Sequence, residues 1–179
     1  MNNLFLGADA QARFLFQSLK AHKESGTIKG LETQIVDGVR FSNDPEAGIT
    51  GEYASDEGNL ISARMHPGKV DHPRWQALHV SLGPAPLADA MLLGVAIKSR
   101  APQSITTRLC IRSGRDGEFI DTFLPKTMIS FAEPSLHLDV LPLDQVPDLP
   151  RSAQWRDLIL FFRPGDVDID LLDARLFIL

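Results

Sequence analysis

The chain has 179 residues, of which 44% are hydrophobic and 23% charged, with a net charge of −5 and a pI near 5.5. That is length for one core and the composition of a folded domain, which sets aside a mainly disordered chain and a general basic nucleic-acid binder. Cys110 is the only cysteine, so neither an intrachain disulfide nor a Cys-rich zinc site is available.

The first residues, MNNLFLGADAQARF, lack a basic region followed by a long apolar run. No stretch approaches the ~18 apolar residues a membrane helix needs. A cytoplasmic location is the expectation. Residues 8–24, ADAQARFLFQSLKAHKE, predict one helix. Ala12, Leu15, Phe16 and Leu19 form its apolar stripe, Asp9 stands where a cap belongs, and Gly26 lies past its end. Phe14 and Phe16 sit about 200° apart, too far for one stripe, so this segment is a candidate contact between subunits. Domain boundaries are set at 1–30 for a helical extension and 31–179 for the main body.

From about Asn59 on, the texture is that of short strands, with one more strand ahead of it. TQIVDGVRF (33–41) reads as one strand, and SNDPEAGITGEYASDEG (42–58) as an acidic loop with a short strand inside it. Then come LISARM, RWQALHVSL, AMLLGVAIK, ITTRLCIRS, EFIDTFL, SLHLDVLPL, RDLILFFR and DARLFIL, separated by Gly, Pro, Asp and Ser. About nine short, evenly spaced strands without alternating helices predict an all-β sandwich or barrel. The closing RDLILFFRPGDVDIDLLDARLFIL reads as the last hairpin of that sandwich, with RPGD at its turn and Val167–Leu171 as an extra short strand.

Three stretches, WQALHVSLGPAPL, TTRLCIRSGRDGEFIDTFLP and WRDLILFFRPGDVDIDLLDARLFIL, resemble the strand pattern of the galactose-binding-domain-like jelly roll on which many carbohydrate-binding modules are built. The resemblance covers roughly the last 105 residues. It implies a jelly-roll-like antiparallel β-sandwich and a non-catalytic domain that binds glycans, peptides or proteins. It also implies a structural calcium ion near the termini, for which Asp44, Glu46, Asp168, Asp170 and Asp173 are the available carboxylates, although no loop spaces them as ligands. No other cofactor is implied.

Alternation assigns the faces of the strands. Gln76, Leu78, Val80 and Leu82 point inward while Trp75, Ala77, His79 and Ser81 point out. Ile105, Leu109 and Ile111 point inward while Thr106, Arg108, Cys110 and Arg112 point out. Leu136, Leu138 and Val140 are expected inward and His137 and Asp139 outward. If these strands share a sheet, Trp75, His79, Arg108, Arg112, His137 and Asp139 share a face suited to a glycan: an aromatic ring for a pyranose, with Arg, His and Asp for its hydroxyls.

Other constellations are weaker. His137-Leu-Asp139 has the form of two facial-triad iron ligands, but no His follows it. His66, Asp71 and His72 cluster in a Pro- and Gly-containing loop without zinc spacing. Cys110, flanked by Arg108 and Arg112, reads as an inert strand thiol. No G-x-S-x-G, P-loop or G-x-G-x-x-G occurs. Three functions stay open: a glycan- or glycoconjugate-binding module, an assembly domain acting through protein contacts, and a metal-dependent enzyme on the same scaffold.

Overall fold

The computed structural model describes residues 6–56 and 58–179. Residues 1–5 of the stretch inspected for a leader, and Glu57 of the acidic loop, lie outside them.

One helix, α1 (Ala10–Ala21), precedes twelve strands. They are β1 (Ser25–Lys29), β2 (Glu32–Val36), β3 (Val39–Asn43), β4 (Thr50–Ala54), β5 (Ile61–His66), β6 (Gln76–Gly83), β7 (Leu92–Arg100), β8 (Ile105–Arg115), β9 (Glu118–Ser130), β10 (Ser135–Pro142), β11 (Trp155–Phe162) and β12 (Val167–Ile178). All pairings are antiparallel. The first sheet has the order β1-β4-β5-β12-β7-β10 and the second β2-β3-β6-β11-β8-β9. The inner faces meet in one continuous core that includes Phe41, Leu78, Val80, Val95, Ile97, Leu109, Leu158, Leu160 and Leu176. This is the all-β sandwich that short alternating strands call for.

The helix buries the stripe its periodicity announces, Ala12, Leu15, Phe16 and Leu19. It lies against β6 of one sheet and β12 of the other, so it closes an end of the core. Ser55 Oγ donates to Leu19 O at 2.8 Å, and Lys20 Nζ sits 2.7 Å from Asp173 Oδ1. Phe16 is buried and Phe14 is 66% exposed, in keeping with their angular separation. Asp9 makes no side-chain cap, facing Arg13 at 3.5 Å instead, and the helix ends at His22, well before Gly26. Residues 25–29 are not helical: they form β1, an edge strand paired with β4.

Three strand readings change. TQIVDGVRF is a hairpin, β2 and β3, because Asp37-Gly38 reverses the chain and Gly38 takes a positive φ of 81°. The strand starting at Glu118 runs on to Ser130 through an irregularity opposite Arg108–Cys110. The closing segment is not a hairpin. β11 lies between β6 and β8 in the second sheet, whereas β12 lies between β5 and β7 in the first. The RPGD turn therefore crosses the sandwich. Gln76 Nε2 pins that crossing by donating to Arg163 O at 2.6 Å and Gly165 O at 2.7 Å.

Candidate functional site

The outer face of the second sheet is an ordered array. Hydrogen-bond register sets its rows. From β3 to β9, one row reads Ser42, Ala77, Phe161, Arg108, Thr127. The next reads Arg40, His79, Ile159, Cys110, Phe123. A third reads Ser81, Asp157, Arg112, Asp121, and a fourth Trp155, Gly114, Phe119. Every one of these side chains points away from the core because strand residues alternate. The small or aliphatic Ala77, Ile159 and Cys110, packed with Phe161, form a buried floor.

Aromatic rings and guanidinium groups stand on that floor. Arg108 Cζ lies 4.1 Å from the centroid of Phe123, and Arg112 Cζ lies 4.0 Å from that of Phe119. Phe123 and Phe161 pack with centroids 5.9 Å apart. The indole of Trp155 occupies the space a side chain at Gly114 would need and remains 39% exposed. Trp75 sits just before β6, where its Nε1 reaches Ser42 Oγ at 3.4 Å and Arg74 lies 5.2 Å from its ring centroid. Beside the hairpin end of the face a cavity of about 560 Å³ opens, with Gly114, Phe119 and Ile120 in its wall.

Three carboxylates belong to this face: Asp157 and Asp121 are consumed within it, and Glu32, opposite Ser42 on the edge strand β2, is more than half exposed and meets Arg40 Nε at 3.4 Å. Asp157 Oδ2 accepts from His79 Nδ1 at 3.1 Å and from Arg40 Nη2 at 3.0 Å. Burial pushes the Asp157 carboxyl up, but the His79 hydrogen bond and the Arg40 charge outweigh it and hold the group below the ordinary carboxylate range. Asp121 accepts a two-point contact from Arg112, Nε at 2.6 Å and Nη2 at 2.7 Å. Cys110 is fully buried, and burial pushes its thiol up to about 12, so it is protonated at neutral pH and no nucleophile.

Trp75, His79, Arg108 and Arg112 lie on this one face. His137 and Asp139 do not. They lie on β10, the edge strand of the other sheet, and the parity of that strand is inverted. Leu136 and Leu138 are 72% and 49% exposed, while Asp139 is 1% exposed. The cause is local. β9 is irregular where it passes β10, and Asp139 Oδ2 turns inward to accept the Lys126 backbone N–H at 2.8 Å, with Oδ1 taking the Val140 N–H at 3.0 Å. His137 follows the same parity, and burial pulls its pKa down. Trp155, Asp157, Phe119, Phe123 and Arg40 are the members that sequence reasoning missed. The alternation of WRDLILFF around its inward leucines is the signal that points out Trp155 and Asp157.

The proposed calcium carboxylates are each held by a cation. Asp44 and Glu46 face Arg74, Asp168 faces Arg64, Asp170 faces Arg64 and Arg100, and Asp173 faces Lys20. Among the described residues no group of three His, Cys, Asp or Glu side chains is gathered as a metal site would require. His66 meets Asp166 at 3.1 Å rather than His72.

The two-sheet antiparallel sandwich is a fold also found among solved carbohydrate-binding modules. Among solved structures, the chain is similar to the CBM22-1 xylan-binding domain of Xyn10C from Paenibacillus barcinonensis, with a TM-score of 0.52 and 8% identity over 87% of this chain and 95% of that one. It is similar to the family 11 carbohydrate-binding module of the cellulosomal cellulase Lic26A-Cel5E of Clostridium thermocellum, with a TM-score of 0.51 and 9% identity over 88% of this chain and 96% of that one. A Trichoderma harzianum endoglucanase of family GH12 shares the sandwich at a TM-score of 0.50 and 9% identity, over 89% and 99% of the two chains. At such identities the likeness is one of fold. No protein-family profile matches the chain, and no curated sequence does.

Proposed function

We propose that the protein is a non-catalytic carbohydrate-binding module whose ligand lies on the outer face of the second sheet. The observation that carries this reading is the fourth row of the array: Trp155 is laid over Gly114 and left partly exposed, with the Arg112 guanidinium in the adjoining row and those of Arg40 and Arg108 in the rows beyond. A flat indole offers an apolar surface to the C–H face of a pyranose, and neighbouring N–H groups reach its hydroxyls. Neighbours in fold that are named for xylan and for a cellulosomal binding module support the same use of the scaffold.

The electrostatics favour binding over hydrolysis. A glycosidase needs one carboxyl held protonated as an acid beside a second that is ionised. Asp157 and Asp121 are both engaged by cations, and Asp157 is held down rather than up. The test is affinity electrophoresis and calorimetry against soluble polysaccharides. Trp155→Ala is expected to weaken binding about tenfold or more. Leu138→Ser, on the other sheet, should leave it unchanged. Silence toward every polysaccharide would refute the reading. Release of reducing ends would refute its non-catalytic part.

A further inference from the structure

We infer that the ligand of this face is an anionic glycan, engaged by Arg108 through a carboxylate or sulfate carried on the sugar. The inference rests on the binding reading above and narrows it.

A neutral sugar hydroxyl both donates and accepts, so faces that select neutral sugars offer acceptors as well as donors. Around Arg108 the strong acceptors are spent, and the one exposed carboxylate of the face, Glu32, stands four strands away beside Arg40. Both oxygens of Asp121 are taken by Arg112, and Asp157 is buried beneath Arg40 and His79 with its side chain only 6% exposed. Away from the β2 edge, the charged groups the face presents outward are donors. Arg112 and Arg40 keep about a quarter of their side chains exposed, but their charge is already balanced by these carboxylates. Arg108 differs. It is exposed, and among the described residues its guanidinium has no carboxylate within salt-bridge distance and makes no side-chain hydrogen bond. Its neighbours across the row are Phe161 and Thr127, neither of which is charged.

Phe123 beneath Arg108 completes the arrangement. A ring 4.1 Å from the guanidinium carbon covers one side of that group and leaves its N–H edge outward. Such stacking holds the plane in place without neutralising it. A positioned, uncompensated fork of donors matches a two-oxygen anion, and charge-assisted contacts of that kind are about twice as strong as neutral ones. The chain as a whole, at a net charge of −5, gives no general attraction to polyanions. The preference therefore depends on this one site rather than on overall charge.

The experiment is an array of oligosaccharides in matched sets: neutral, carboxylate-bearing and sulfate-bearing on the same backbone, followed by titration of the best ligands. Wild type should favour an anionic set by roughly tenfold or more, with the advantage shrinking as salt rises. Arg108→Gln should erase that advantage. Arg175→Gln, which removes the same charge from the exposed surface of the other sheet, should keep it. Arg108→Lys, which keeps the charge and loses the fork, should fall between them. The preferred set tells carboxylate from sulfate. Equal binding to neutral and anionic members, unaltered by Arg108→Gln, overturns the anionic assignment and leaves carbohydrate binding standing. Silence across the array overturns both.

Discussion

The indole of Trp155 lies across the backbone of Gly114, its cross-strand partner. The absence of a side chain at one position sets the pose of the ring at the other. Gly114→Ala should displace the indole, lowering carbohydrate affinity about as far as Trp155→Ala does. The overpacking should cost about 1–3 kcal/mol of stability. Calorimetric titration and denaturant melts of the two variants check this together. A Gly114→Ala protein that binds normally would show that the ring pose is irrelevant.

Asp157 joins β11 to β3 and β6 through Arg40 and His79. Its folded pKa is depressed, so its contribution is present above the unfolded value of about 3.9 and is lost as pH falls through the folded value. Removal of one partner from such a buried pair typically costs about 3–5 kcal/mol. Asp157→Ala is therefore expected to be strongly destabilised at pH 7. The gap to wild type should narrow below about pH 4. Urea midpoints measured from pH 2 to pH 7 decide it, and a gap independent of pH would contradict the assignment.

The inverted parity of β10 makes a contrast that can be measured. Asp139→Ala leaves the Lys126 N–H without its acceptor and should cost about 1–3 kcal/mol. Leu138→Ser changes an exposed side chain and should stay within about 0.5 kcal/mol. The opposite ranking would return the leucine to the core and the aspartate to solvent.

Cys110 is fully buried under the outer face. A thiol-specific reagent at pH 8 should fail to modify the native protein and should label one thiol per chain in denaturant. Fast native labelling would mean that the floor beneath Phe123 and Phe161 opens.

Alternation is enough to place Leu78, Val80, Leu109 and Ile111 inside, and with them the opposite parity of their strands outside. Helical periodicity was enough for α1. It was the pairing between distant strands that single-strand patterns left open. Nothing local in SLHLDVLPL says that it is an edge strand beside an irregular β9, so an alternating pattern was read with the wrong side inward. Nothing local in RDLILFFRPGDVDIDLL says whether the two runs share a sheet. Trp155 and Gly114 are 41 residues apart, and their stacking depends on a register that only the assembled sheet defines.

The crossing of RPGD has a consequence for how the molecule comes to be made. β11 is the strand that joins β6 to β8, and β12 is the one that joins β5 to β7. Each sheet thus receives its central strand from residues 155–179. On a ribosome, the earlier strands emerge as four unjoined fragments with unpaired backbone edges and wait for partners that are translated after them. Such late, long-range closure is slow and leaves edges open to other chains. Folding yield should therefore respond sharply to lesions in β11 or β12, even conservative ones, and to chaperone supply during synthesis. Lesions in the N-terminal hairpin β2–β3, whose pairing is local and at a sheet edge, should be far better tolerated.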